Sequence, residues 1–85
     1  MFTNKSKNGN NNICGKAIAD RRKEMGKSQR QLADALQLAG LDIDKNAIQR
    51  IEAGKRFVTD IELTYFSKVL DLTYEMLLVH SDRMD

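Results

Sequence analysis

The sequence predicts an all-helical fold. The chain has no proline, the glycines at positions 26, 40 and 54 lie between periodic segments, and apolar residues recur at three- and four-residue spacing without sustained alternation. A length of 85 residues leaves room for one small domain. We therefore expect a compact bundle of about five short helices in residues 13–79, preceded by a disordered arm (1–12) and followed by a tail (80–85).

The first two helices carry recognisable ends. The first is predicted over 13–25, with Asn12 as a candidate cap and Gly26 as the stop. Its apolar residues are Cys14, Ala17, Ile18 and Met25. The second begins at Ser28, where Gln31 completes the spacing of a capping box. Its buried residues are expected to be Leu32, Ala33 and Leu36.

The third helix is predicted from Asp44, an acid that can cap a helix and is favoured by its dipole, to Ala53, before Gly54. Its buried residues are expected to be Ala47, Ile48 and Ile51. Its outward side carries four polar residues at i, i+1, i+4 and i+5, here called the reading stripe: Lys45, Asn46, Gln49 and Arg50. Such side chains can bond guanine (Arg, Lys) or adenine (Asn, Gln) in the major groove, at about 1–3 kcal/mol per good pair. We predict that the stripe reads DNA bases.

The last two helices follow a second capping box, formed by Thr59 and Glu62. The fourth is predicted to run through Leu70 and to bury Ile61, Tyr65, Phe66 and Val69 or Leu70. A short fifth helix is predicted over 73–79. Its apolar residues are too many for one inward face, so they either close the core or form a two-fold dimer contact: Tyr74, Met76, Leu77, Leu78 and Val79.

Groups suited to DNA phosphates flank the reading stripe. The start of the second helix offers backbone N–H groups and the positive end of the helix dipole, surrounded by Lys27, Ser28, Gln29 and Arg30. Lys55 and Arg56 follow the third helix. We predict that these two sets contact phosphates on either side of the reader.

The order of these residues resembles a known family. The pattern runs Gly15-x-x-Ile18, Arg22, Gly26, Ser28-Gln29-x-x-Leu32-Ala33, Ile48-Gln49-x-Ile51-Glu52-x-Gly54-x-Arg56. It is similar to the helix-turn-helix family of phage-repressor and Cro-like (Xre-type) regulators, over about residues 13–79. The resemblance implies a lambda-repressor-like five-helix fold with the third helix in the major groove. It also implies base contacts by the reading stripe, a phosphate contact by Gln29, and a structural ion pair between Arg22 and Glu52.

Two departures from the family pattern concern packing. The segment between the second and third helices, 37–42, is longer than usual, and this lengthened turn affects the angle of the reading helix. Leu38 and Leu41 are expected to pack the extra turn onto the core. Arg21 stands where the family often has an apolar residue, so looser packing is expected there.

Other classes of protein lack support in the sequence. Cys14, the single cysteine, cannot form an intrachain disulfide and is expected to be a small buried hydrophobe in a reducing compartment. No signal segment, membrane span or lipidation motif is present, which favours a cytoplasmic protein without a membrane partner. His80 lacks companions for a metal or catalytic site. We expect no enzyme activity, cofactor, metal or small-molecule ligand.

The sequence therefore predicts a sequence-specific transcription regulator, a repressor that binds double-stranded DNA as a homodimer and occupies a palindromic operator. The alternative is a protein-interaction module, antitoxin-like or an adaptor subunit, with secondary DNA binding. A docking helix typically presents apolar anchors, and the reading stripe has none.

Charge is divided unevenly along the chain. The net charge is +2, but residues 1–58 carry twelve Lys and Arg against six Asp and Glu, a net +6. Residues 59–85 carry two against six, a net −4. This asymmetry would turn the predicted reader and phosphate contacts toward a polyanion during approach.

Overall fold

A computed structural model describes residues 11–82, and their side chains as far as residue 78. This part of the chain forms five helices and no strand, as predicted. The helices are α1 (Gly15–Glu24), α2 (Gln29–Ala39), α3 (Lys45–Glu52), α4 (Asp60–Leu70) and α5 (Tyr74–Asp82). None of them is long and apolar enough to cross a bilayer.

The predicted helix starts are confirmed in atomic detail. The Ser28 hydroxyl accepts a hydrogen bond from the Gln31 amide, and the Gln31 side chain accepts one from the Ser28 amide, so the capping box is complete. Thr59 and Glu62 form the same reciprocal pair at α4. Asp44 caps α3 through a bond of 2.8 Å from the Ala47 amide to its Oδ1. Local chemistry therefore sets where these three helices begin.

The core lies between α1, α2, α3 and the later helices. Helix α1 packs against α3, α4 and α5, whereas α2 packs against α3 and α4. The predicted inward faces of α2 and α3 are buried, as are Cys14, Phe66 and Leu70. Burial raises the pKa of the Cys14 thiol to about 11, so this side chain stays protonated and acts as a small apolar group.

Two predictions of burial are wrong. Ile61 is 65% exposed and Leu38 is 90% exposed. Ile61 lies in the first turn of α4, where the buried side is defined by Phe66 and Leu70 further along. Leu38 lies on the outward side of α2, whereas Leu41 packs against the core as expected. The remaining candidates on α4, Tyr65 and Val69, are partly buried.

The lengthened turn is an ordered connection. Gly40 adopts a left-handed conformation with φ of 114°, and the Leu41 amide bonds the Leu36 carbonyl at 2.9 Å. Beyond it, Ile43 is buried, and its carbonyl accepts a bond of 2.7 Å from the Gln37 side chain. These contacts hold the segment between the end of α2 at Ala39 and the start of α3 at Lys45.

Arg21 does more than fill an apolar position. Its Nε donates to the Leu70 carbonyl at 2.9 Å, at the C-terminal end of α4, and its guanidinium lies 3.4 Å from Glu24. A cation at this end of a helix is also favoured by the helix dipole. The expectation of looser packing is replaced by a polar tie between α1 and α4.

The boundaries of the folded region differ from the prediction. Asn11 and Asn12, assigned to the arm, are hydrogen bonded to the end of α3. Helix α5 continues to Asp82, so it includes the first residues of the expected tail. The other residues of the predicted arm, 1–10, and residues 83–85 lie outside the described part of the chain.

Candidate nucleic-acid interface

Helix α3 is held firmly against the core, and this fixes the direction of its polar face. Ile48 and Ile51 are fully buried and Ala47 nearly so. At the C-terminal end, Gly54 has φ of 77°, and the Lys55 amide bonds the Arg50 carbonyl at 2.9 Å. At the other end, the Asp44 side chain accepts a bond from the Ala47 amide, so both ends of the helix are capped.

The reading stripe occupies the opposite face. Its four side chains, those of Lys45, Asn46, Gln49 and Arg50, are all exposed. None of the hydrogen bonds or ion pairs found among the described residues involves these side chains. A rigid helix therefore presents four donor-bearing side chains that make no competing contact within the described part of the molecule.

A polar groove of about 400 Å³ separates the start of α3 from α2. Lys45 and Asn46 line it on one side, and Arg30 lies on the other. Asp34 and Asp44 line the same groove, so this end of the face also carries negative charge. Arg50 and Lys55, toward the other end of α3, do not line this groove.

An ion pair joins the elements that carry the interface. Both oxygens of Glu52 accept bonds from the Arg22 guanidinium, at 2.7 and 3.0 Å, and Gln29 donates to Glu52 Oε1 at 3.0 Å. Arg22 also donates to the Lys27 carbonyl at 2.7 Å. The bond to Glu52 raises the pKa of Arg22, which stays charged. The predicted Arg22–Glu52 contact is thus present. It belongs to a network of hydrogen bonds that holds the end of α1, the start of α2 and the end of α3 together.

The candidate phosphate contacts are not equivalent. Lys55 and Arg30 are exposed, and Lys27 is partly buried. The Ser28 hydroxyl serves as the cap of α2, and Gln29 is bound to Glu52. In this part of the chain the amides of these first helical residues, Gln29 and Arg30, have no acceptor, which leaves two donors at the end of the helix.

Arg56 is held away from the role expected of it by an ion pair. Its guanidinium donates to both oxygens of Glu62, at 2.8 and 3.1 Å. These bonds lower the pKa of the Glu62 carboxyl and raise that of Arg56. Because its charge is already compensated, Arg56 is a weaker candidate for phosphate than its neighbour Lys55.

The residues expected to form a dimer contact differ in their exposure. Leu77 is fully buried in the core of the chain itself and is not available to a second copy. Tyr74 and Met76 are each 51% exposed, and Leu78 is partly buried. The side chain of Val79 lies outside the described residues.

The largest feature that the sequence did not reveal is a set of bonds from Asn11 and Asn12, here called the asparagine latch. The Asn11 amide and side chain donate to the Gly54 and Lys55 carbonyls at 2.7 and 2.9 Å. The Asn12 side chain donates to the Ile51 and Arg56 carbonyls at 3.0 and 2.8 Å. Its Oδ1 accepts from the Gly15 amide at 2.8 Å, which confirms the cap expected from the sequence.

Comparison with protein families decides the assignment. The family model described as helix-turn-helix, which is Xre or lambda-repressor-like, matches residues 18–77, more than half of the chain. The chain belongs to this helix-turn-helix family. Comparison with curated proteins and with solved structures finds no match. Membership in the helix-turn-helix family indicates a DNA-binding regulator of a typically non-enzymatic class.

Proposed function

We propose that the protein is a sequence-specific transcriptional repressor that acts in the cytoplasm by occupying an operator. The reading stripe supports this proposal most strongly: four exposed base-reading side chains lie on a helix whose other face is fully buried. In this proposal α3 lies in the major groove, where Arg50 and Lys45 bond guanine and Asn46 and Gln49 bond adenine.

Phosphate contacts would fix the register of the protein on DNA. Lys55 on one side of the reading stripe, and Lys27, Arg30 and the first amides of α2 on the other, are the groups available without loss of an intrachain bond. Ser28, Gln29 and Arg56 would each have to share or give up a present partner. We therefore assign them weaker contacts.

A homodimer would place two reading helices on one face of the duplex. The exposed apolar surface of Tyr74 and Met76 on α5 supports a contact between two copies there. A two-fold dimer of this motif type places its reading helices about 34 Å apart. The operator would then be a palindrome with half-sites about 10–11 base pairs from centre to centre.

Selection of binding sites from random double-stranded DNA by the purified protein tests the proposal. We expect enrichment of a palindromic motif with the half-site spacing given above. Enrichment of a single unrepeated half-site would contradict the dimer and leave base reading intact. No enrichment over the starting pool would contradict sequence-specific binding and favour the protein-interaction alternative.

A further inference from the structure

The asparagine latch holds the segment that carries the best phosphate candidate. Lys55 has an exposed side chain, but both of its backbone groups are bonded: its amide to the Arg50 carbonyl and its carbonyl to the Asn11 side chain. On either side, the carbonyls of Gly54 and Arg56 accept bonds from Asn11 and Asn12. A long, flexible side chain thus projects from a backbone fixed at three successive residues.

Asn12 is the hub of this arrangement. Both hydrogens of its amide group are donated, to carbonyls of Ile51 and Arg56, and its oxygen accepts from Gly15. The last turn of α3, the loop that follows and the start of α1 therefore meet at one side chain. A carboxylate at this position would lose both donors.

The close approach of α1 to α3 gives independent support. A Cβ added at Gly15 would lie 2.3 Å from the Ile51 carbonyl oxygen, so only glycine permits this packing. The same carbonyl receives the Asn12 bond. The asparagine latch and the close approach at Gly15 together hold the C-terminal end of α3 against the start of α1.

We propose that Asn12, supported by Asn11, is a positioning residue for DNA binding that holds Lys55 in place to contact a phosphate. This inference rests on the proposed function. In this proposal Asn12 itself touches no DNA. It acts before binding, because a backbone that is already fixed around Lys55 has less conformational freedom to lose when the side chain meets a phosphate.

A double-mutant cycle on the salt dependence of DNA binding tests the proposal. The probe is the selected site, or any duplex if selection fails, bound to wild type, Asn12→Ala, Lys55→Ala and the double variant. Log affinity falls linearly with log salt concentration, and removing one phosphate contact makes this slope shallower by about 0.9. We expect Lys55→Ala to do so in the wild-type background, and to have less than half of this effect once Asn12 is replaced.

Ser67→Ala is the matched control. It also removes a side-chain bond to a backbone carbonyl, from the Ser67 hydroxyl to Leu72, but at the junction of α4 and α5. In the Ser67→Ala background, Lys55→Ala should keep its full effect on the salt slope. A full effect in the Asn12→Ala background as well would overturn the proposal, as would wild-type binding by Asn12→Ala.

Hydrogen exchange in the absence of DNA separates this proposal from the proposed function. Asn12→Ala should speed exchange of the Gly54 and Lys55 amides about tenfold, with no change at Ile48 or Phe66 in the core. If wild type binds no DNA, the proposed function fails, while the exchange rates still show whether the latch holds the loop. Unchanged exchange at Gly54 and Lys55 would overturn the latch itself.

Discussion

At the scale of single residues, three cations near the end of α3 have different surroundings. Arg50 and Lys55 are exposed, whereas Arg56 is bound to Glu62 through two hydrogen bonds. An unpaired guanidinium on a rigid helix can meet a base edge without first breaking an ion pair. We therefore propose different roles for these neighbouring residues of equal charge: Arg50 would read a base and Lys55 would contact a phosphate, whereas Arg56 is held in an intrachain ion pair.

Replacing Arg50 by alanine should remove one base contact and leave the fold intact. We expect operator affinity to fall by about 1–3 kcal/mol, with relaxed preference at one base position. Fluorescence anisotropy on the selected site and on single-base variants measures both effects. Lys68→Ala, which removes an exposed cation from α4, is the control and should leave the preference unchanged. An unaltered preference in Arg50→Ala would exclude this residue from the reader.

The Arg56–Glu62 pair makes stability depend on pH. The hydrogen bonds from Arg56 hold the pKa of Glu62 below its ordinary value of 4.5, so the native state favours the carboxylate. The resulting stability is present above about pH 4.5 and is lost as the pH falls through the lower native value. Glu62→Gln should therefore be less stable than wild type near pH 7, and the difference should shrink toward about pH 3. Urea denaturation at the two pH values measures it; a difference that does not change with pH would contradict this role.

At the scale of helices, the sequence predicts the ends better than the buried faces. Ser28, Asp44 and Thr59 cap their helices through residues three positions away, so their chemistry is local and visible in the sequence. The burial of Ile61 depends instead on which neighbouring helix covers the first turn of α4, and in the described part of the chain Ile61 stays 65% exposed. Leu38 on α2 is exposed for the same reason. A helical period shows which residues share a face, but it does not show which neighbouring helix covers that face.

The asparagine latch and the Arg56–Glu62 pair show a second limit of prediction. Asn12 and Arg56 are 44 residues apart in sequence, and no local spacing connects them. A tract rich in asparagine, lysine and glycine has the composition of a disordered arm, and composition alone therefore places residues 11–12 in that arm. The glycine at position 15 was the available signal, since a glycine inside the first turn of a helix can indicate close approach of another backbone.

Gly15 therefore provides a prediction about the packing of α1 on α3. Gly15→Ala places a methyl group 2.3 Å from the backbone oxygen of Ile51, so the two helices must separate, and we expect a loss of about 1–3 kcal/mol of stability. Gly26→Ala is the matched control: it has φ of 70° but nothing within 4 Å of the added carbon, so it bears only the conformational cost, about 1 kcal/mol. Chemical denaturation compares them. An equal or smaller loss in Gly15→Ala would contradict the close contact.

At the scale of the whole molecule, positive charge is concentrated in the part of the chain that forms the first three helices. The sequence carries +6 through residue 58, which includes α1, α2 and α3, and −4 from residue 59, which includes α4 and α5. The proposed interface lies on α2 and α3, so it belongs to the positive part of the chain. Such a distribution would favour approach to DNA with α3 leading and would make the rate of association sensitive to salt.

The most direct test of the central claim is the ratio of affinities for the selected site and for an unrelated duplex, measured at one salt concentration for wild type and for a variant with alanine at all four stripe positions, 45, 46, 49 and 50. We predict a ratio of at least about 10³ for wild type. The variant, shown to be folded by circular dichroism, should retain binding to the unrelated duplex through its phosphate contacts and lose most of the ratio. A folded variant that keeps the wild-type ratio would contradict base reading by α3.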